Sequence, residues 1–263
     1  MGFRNSERTR SEKNGVVYFI RNNVRTRDKE FERFALQTHF VNRGESYIDL
    51  VSKYVAPLYE ENDILYISEK VISMCQNNIV EKKDVKLGFF AKLLSKFAKF
   101  DAHGGVGHPY KMQLAIDIAG LPRILFACFC AAIMKLFGKS GVFYDIAGHD
   151  INGIDGFING SSFALYSDIA LLIPINSNKV CDEIYEKCGV KAMIVDANDF
   201  GVNILGKTKK LEDYTLDYLA SLIADNPAGQ SDERTPFILI KPLKEEKIQS
   251  EKDSILNDIV KAF

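Results

Sequence analysis

The sequence predicts an α/β or mixed α+β fold, and three observations carry that expectation. Short β-rich apolar runs alternate with segments whose apolar residues recur at helical spacing. The chain has 263 residues, 46% of them hydrophobic and 26% charged, which is ordinary for a globular protein with a sizeable core. No internal repeat or low-complexity linker interrupts the alternation. One compact body is therefore expected over residues 38–243, behind an N-terminal extension at 1–37 and ahead of a C-terminal helix at 244–263.

The elements follow in order. The first 35 or so residues are polar and charged, with a strand expected at "GVVYFI", Gly15–Ile20. "YIDLVSKYVAPLY", Tyr47–Tyr59, spaces its apolar residues as an amphipathic helix. "DILYISEKVISM" opens as a strand that ends near Ser68. "VKLGFFAKLLSKFAKF", Val85–Phe100, reads as a helix with a basic outer face. A Gly/His loop precedes a helix from Pro109, because proline suits the first helical position. "ILFACFCAAIMKLF", Ile124–Phe137, reads as a buried core helix, with a short membrane dip as the weaker alternative. "GVFYDIAGHDINGIDGF" reads as a strand leading into a polar loop, and "SDIALLIPI", Ser167–Ile175, as a strand. Ser177–Gly189 is a helix with Ser177 or Asn178 as cap and Gly189 past its end. "KAMIVDANDF" is a strand running into a polar tip, "LEDYTLDYLASLIADN" a helix and "TPFILIKPL" a last strand.

A net charge of −1 supplies no global field for nucleic acid or an anionic membrane, so neither is expected as a partner. The longest apolar run is about 14 residues, short of the roughly 20 that a helical span needs. The opening "MGFRNSERTRSEKNG" lacks an apolar secretory core, and the five cysteines form no C-x-x-C pair. Reduced thiols in a cytoplasmic protein are the expectation.

"GVNILGKT", Gly201–Thr208, is a literal P-loop match. Context argues against it. A P-loop needs a buried strand feeding straight into its first glycine and a helix opening at the lysine. Here "DANDF" intervenes after "AMIV", the interior Val202–Leu205 is β-like, and no acidic strand end follows to hold Mg²⁺. The match is read as accidental, with Lys207 a surface lysine.

Chemistry is expected elsewhere. His39, His103, His108 and His149 all fall in or beside predicted loops. Asp150 and Asp155 lie in a Gly-punctuated loop, and Asp196 ends a strand with Asn198 and Asp199 beyond it. Carboxylates at strand ends of α/β sheets face the crevice where ligands bind, and oxygen-rich clusters suit Mg²⁺ or Mn²⁺ on phosphates. The alternative is capping and Asx turns. "ADNPAGQSDERTP" is a second polar loop, whose Gln230, Ser231, Asp232 and Glu233 are further candidates.

Taken together and in order, "DILYISEKVISMCQ", "GVGHPYKMQLAI", "GVFYDIAGHDINGIDG", "VDANDFGVNILG" and "ADNPAGQSDERTP" resemble the coenzyme F420-0:L-glutamate ligase (gamma-glutamyl ligase) family, in a divergent bacterial branch. The resemblance runs from about Thr38 to Lys241. It implies the family's α/β fold, an intertwined homodimer and a GTP-driven (or ATP-driven) amide ligation. In that reaction a small-molecule carboxylate acceptor is activated as an acyl phosphate and captured by L-glutamate, with Mg²⁺ or Mn²⁺ on the phosphates. By motif, Asp150 and Asp196 fall on metal-binding positions. Glu69, Lys70 and Gln76 fall near nucleotide or acceptor, with Asn198 and Gln230 beside the same site. His108 falls among the cofactor-binding positions, and Lys70 with the loop N–H groups at Gly104, Gly105 and Gly107 are the expected phosphate clamps. The chain departs from the family at "QNN", where Asn77 and Asn78 replace the usual Gly and Arg, at Ala197, and at Gln230, where archaeal members carry an acid.

Overall fold

A computed structural model describes residues 9–26, 29–98, 106–157, 165–198, 201–229 and 233–243. In chain order the strands and helices are β1 (Arg10–Lys13), β2 (Val16–Arg25), β3 (Glu30–Leu36), α1 (Tyr47–Tyr54), β4 (Ile64–Ser68), α2 (Glu69–Cys75), β5 (Ile79–Glu81), α3 (Phe89–Leu94), α4 (Pro109–Ala119), α5 (Leu121–Leu136), α6 (Val142–Ala147), α7 (His149–Asn152), β6 (Asp155–Gly156), α8 (Leu165–Asp168), β7 (Ile169–Leu171), α9 (Ser177–Cys188), β8 (Ala192–Asn198), β9 (Gly201–Lys207), α10 (Leu216–Ser221) and β10 (Phe237–Pro242). The mixed α and β class expected from the alternation is the class observed. The described residues divide into two compact units, one up to Ile72 together with the chain from Asn176 onward, the other from Ser73 to Ile175.

The larger unit is built on a seven-stranded sheet in the order β1-β2-β3-β10-β4-β8-β9. Its pairings are antiparallel except β4 with β8, which run parallel with Leu65 opposite Ala192 and Ser68 opposite Val195. Central strands buried on both faces read as continuous apolar runs; "ILYIS" in β4 and "FILI" in β10 do so and are buried. One face carries a cluster of Phe31, Ala35, Tyr66, Met193, Val195, Leu219 and Ile238 with their neighbours. The segment before Thr38, read from sequence as an extension, supplies three of the seven strands. Its charge does not keep it outside the fold, and Arg33 is fully buried. Its guanidinium donates to Asn22 O, Leu222 O and both oxygens of Asp225, with Nη2–Oδ2 at 2.7 Å. Buried arginine persists where its donors are satisfied in this way.

The smaller unit is mostly helical, with a three-stranded antiparallel sheet in the order β5-β7-β6. Its core gathers Met112, Leu114 and Ala115 of α4, Ile124 and Ala127 of α5, Ala147 of α6, and Ile151, Ile154 and Phe157. Three expectations are corrected here. "VFYDIA", read as a strand for its β-branched and aromatic content, is helix α6, and Asp150 lies on the short helix α7 rather than in a loop. β-propensity is a weak preference that packing overrides, and Phe143 and Ala147, four apart, meet the core only as a helix. The run Ile124–Phe137 is helical within α5 from Ile124 to Leu136, but it is not a buried core helix. Only Ile124 and Ala127 are buried, while Phe126, Phe129 and Leu136 are more than half exposed.

Some boundaries also shift. Helix α3 covers six residues of the sixteen expected, and Ser167–Ile175 is strand only over β7. The expected C-terminal helix lies outside the described residues.

Candidate functional site

The P-loop motif is resolved by the backbone. Gly201–Lys207 is strand β9, antiparallel to β8, with Asp196 opposite Asn203. A strand points successive N–H groups to opposite sides and cannot cradle a phosphate. Lys207 Nζ donates to Leu211 O at 2.8 Å and Tyr214 O at 2.6 Å, and Thr208 is buried with its hydroxyl 3.3 Å from Asp182 Oδ1. Gly206 is needed for close approach, since a Cβ there would come within 2.5 Å of the Ser177 carbonyl carbon. Each residue of "GKT" thus has a packing or hydrogen-bonding role.

The carboxyl end of the parallel pair β4 and β8 is the better candidate. In open α/β sheets this end of the strands is where ligands bind. β4 runs without a loop into α2, so Glu69 and Lys70 stand in the first helical turn at that end, Glu69 buried and Lys70 exposed. On β8, Asp196 follows Val195, the partner of Ser68, and is half-buried. The buried Tyr66 reports on all three. Burial pushes its phenol far above the ordinary value, the charges of Glu69 and Asp196 push it further, and Lys70 and the Ser68 hydroxyl oppose them. Tyr66 and Ser68 were not singled out in the sequence, because a tyrosine inside an apolar run reads as core.

This end of the sheet has the donor chemistry for a hard divalent cation held partly by a ligand. Mg²⁺ is commonly bound by one or two carboxylates plus substrate phosphates and water, and Glu69 and Asp196 are two such carboxylates. Among the described residues no group of three or more His, Cys, Asp or Glu converges as an all-protein cage. Phosphate oxygens would have to complete the coordination.

The other expected residues lie in the smaller unit or outside the described residues. Asp150 is exposed on α7. Gln76 is committed to the backbone: its Nε2 donates to Ile175 O and its Oε1 accepts from Ile175 N, both at 2.7 Å. Asn78 Nδ2 donates to Ile173 O at 2.7 Å, and Asn77 has φ 57°. Asparagine tolerates the left-handed region better than other side chains do, so "QNN" serves as a turn that ends α2 and holds the 173–175 segment. His108 caps the start of α4 with its ring stacked 5.9 Å from Phe157 and tilted 5.7 Å from Tyr110. Burial, then the Lys82 and Lys111 charges, lower its basicity, so the neutral imidazole is favoured. Gly107 is half-buried in the turn before it. Gly104, Gly105, His103 and Gln230 lie outside the described residues, as do the side chains of His149 and Asn198.

Two constellations escaped the sequence reading. His39 bridges Tyr54 OH at 2.7 Å from Nδ1 and Glu45 Oε2 at 2.8 Å from Nε2. Arg21 is buried and ties the polar loop before β10, donating to Pro227 O at 2.8 Å and Glu233 Oε2 at 2.6 Å. Arg21 is 206 and 212 residues from these partners, a separation that leaves no local signal of pairing.

Comparison with protein-family models gives no match for this chain, and comparison with curated proteins gives none either.

Proposed function

We propose that the protein is a divalent-metal- and nucleoside-triphosphate-dependent amide ligase of the gamma-glutamyl ligase type, joining L-glutamate to a small-molecule carboxylate. The observation that carries this reading is the gathering of Glu69, Lys70 and Asp196 around Tyr66 at the carboxyl end of the parallel strands. The ordered motifs that resemble the family support it, and with them a homodimer of that family's fold. In such a reaction an acceptor carboxylate oxygen attacks the terminal phosphorus, and the nucleoside diphosphate leaves. The free amine of L-glutamate then attacks the acyl carbon, an amide forms, and inorganic phosphate leaves. Charge develops on phosphate oxygens, so fixed cations and oriented donors do the work rather than a covalent nucleophile. Lys70, exposed in the first turn of α2, would be the cation that meets a phosphate. A bound Mg²⁺ or Mn²⁺ would neutralise phosphate charge, with Asp196 and Glu69 as its carboxylates in this unit. Asp150 enters by the resemblance alone.

A second reading, a nucleotide- or metabolite-binding protein of the same fold without ligase activity, is favoured by "QNN". Where the resemblance expects substrate contacts, the Gln76 and Asn78 amides are spent on backbone.

Calorimetric titration of GTP and of ATP with Mn²⁺ present tests both. Asp196→Ala and Lys70→Ala should weaken binding by about tenfold or more, the scale of one charge-assisted contact, whereas Lys207→Ala should leave it within about twofold. Phosphate release on adding L-glutamate and candidate acids then separates ligase from binding protein. Loss of binding in Lys207→Ala alone would overturn the assignment of the site.

A further inference from the structure

Helices on a globular surface bury one face and present charge on the other; α3 and α5 do not. In α3 and the turn after it, Ala91 and Ser95 are buried while Phe89, Phe90, Leu93 and Phe97 face out, Phe97 at 79% exposure. In α5, Ile124 and Ala127 are buried while Phe126, Phe129, Ile133 and Leu136 face out at spacings of three and four, and Phe137 follows them. Monomeric surfaces rarely expose so much large apolar side chain in one segment. The same segment is strongly basic in a chain of net charge −1: between Val85 and Lys139 there are eight Lys or Arg against two Asp and no Glu. Lys86, Lys92, Lys96, Lys135 and Lys139 are exposed among the apolar residues.

We infer that the outward faces of α3 and α5 dock on the surface of an anionic lipid bilayer, with the phenylalanines and leucines in the headgroup–acyl boundary and the lysines reaching lipid phosphates. Phe and Leu on one face with Lys interleaved is the composition of interfacial helices, and lysine stems let apolar carbons sink while the ammonium stays at the headgroups. α5 has 16 residues, about 24 Å long, against a hydrocarbon core of about 30 Å, so it lies in the interface rather than across it. Among the described residues no single helix is long and apolar enough to cross. α4 and α5 together pass on length and composition, but they are bent by 118°, and α4 buries Lys111, Met112, Gln113, Leu114 and Ala115 in the protein core. Charge decides between a membrane and a second copy of this chain. An isologous contact would set the same lysine-rich patch against itself, whereas anionic headgroups complement it. This departs from the expectation of no membrane partner.

Flotation of the full chain with vesicles tests the inference, using equal parts phosphatidylcholine and phosphatidylglycerol against phosphatidylcholine alone. Binding to the anionic vesicles should be at least about tenfold stronger and should weaken in high salt. The double variant Phe126→Ser with Phe129→Ser should lose about tenfold or more on both vesicle types. Lys92→Glu with Lys96→Glu and Lys135→Glu should lose only the preference for anionic lipid. All the altered side chains are exposed, and circular dichroism melting checks the fold. Equal weak binding to both vesicle types overturns the inference. So does a stable dimer by light scattering that Phe126→Ser with Phe129→Ser dissociates while vesicle binding is absent.

Discussion

In the larger unit the charged groups that go inside arrive with partners, and in the smaller unit large apolar groups stay outside. Arg33 meets Asp225 and two carbonyls, Asp63 accepts from Lys241 and from Glu60 N, and the central strands of the sheet are covered. The smaller unit instead turns Phe89, Phe97, Phe126 and Leu136 outward beside lysines. The larger unit satisfies its own core, so its surface is free to carry a polar site at the strand ends. The smaller unit leaves an apolar face bordered by lysines outside, which is the face inferred to meet an anionic bilayer.

The sharpest way to break this comparison is inside the smaller sheet. Gly156 has φ +133°, and a Cβ there would lie 2.2 Å from Ile169 O across the β6–β7 pairing. Gly156→Ala should cost on the order of 4 kcal/mol, combining backbone strain with overpacking. Urea denaturation and loss of amide protection in β5, β6 and β7 would show it; a change below about 1 kcal/mol would mean that this turn does not hold the sheet.

Next in size is the buried pairing of the larger unit. Asp225→Ala leaves Arg33 inside with only its carbonyl acceptors. Asp225 is about half exposed, so the cost should be about 2 kcal/mol, below the 3–5 kcal/mol of a fully buried pair. Burial by itself would raise the Asp225 carboxyl, yet the Arg33 hydrogen bonds and charge outweigh it and hold it below the ordinary value. Its stabilisation is therefore complete above the unfolded value of about 3.9 and is lost as pH falls below it. In acid titration of stability, Asp225→Ala should remove part of the slope in that window.

The smallest effect belongs to His108. Its folded value is depressed by burial and then by Lys82 and Lys111, so its contribution is present above the unfolded value of about 6.5 and is lost as pH falls through the folded value. Thermal stability should decline from pH 7 to pH 5, and His108→Phe, which can stack on Phe157, should flatten that decline. An unchanged slope would show that the imidazole is not excluded from protonation.

Local pattern was enough for β4, β8, β10, α4 and the span of α9, although the residue before α9 is Asn176 and not the expected Ser177 or Asn178. It also argued against the P-loop, since "VNIL" reads as strand and the strand and helix that must flank such a loop are out of place. It placed Glu69, Lys70 and Asp196 near strand ends but could not show that β4 and β8 are parallel neighbours, because pairing across more than a hundred residues leaves no local trace. It misread α6, whose β-like residues are held helical by packing, and the run Ile124–Phe137, where a wholly apolar helix looks the same whether protein or another partner covers it. Composition and periodicity determined the mixed class and the candidate strand ends. Tertiary structure alone decided that β1, β2 and β3 join the large sheet, that Gln76 and Lys207 spend their donors on backbone, and that α5 faces outward. Burial and pairing are properties of the whole chain in space, and a residue's neighbours in sequence do not specify them.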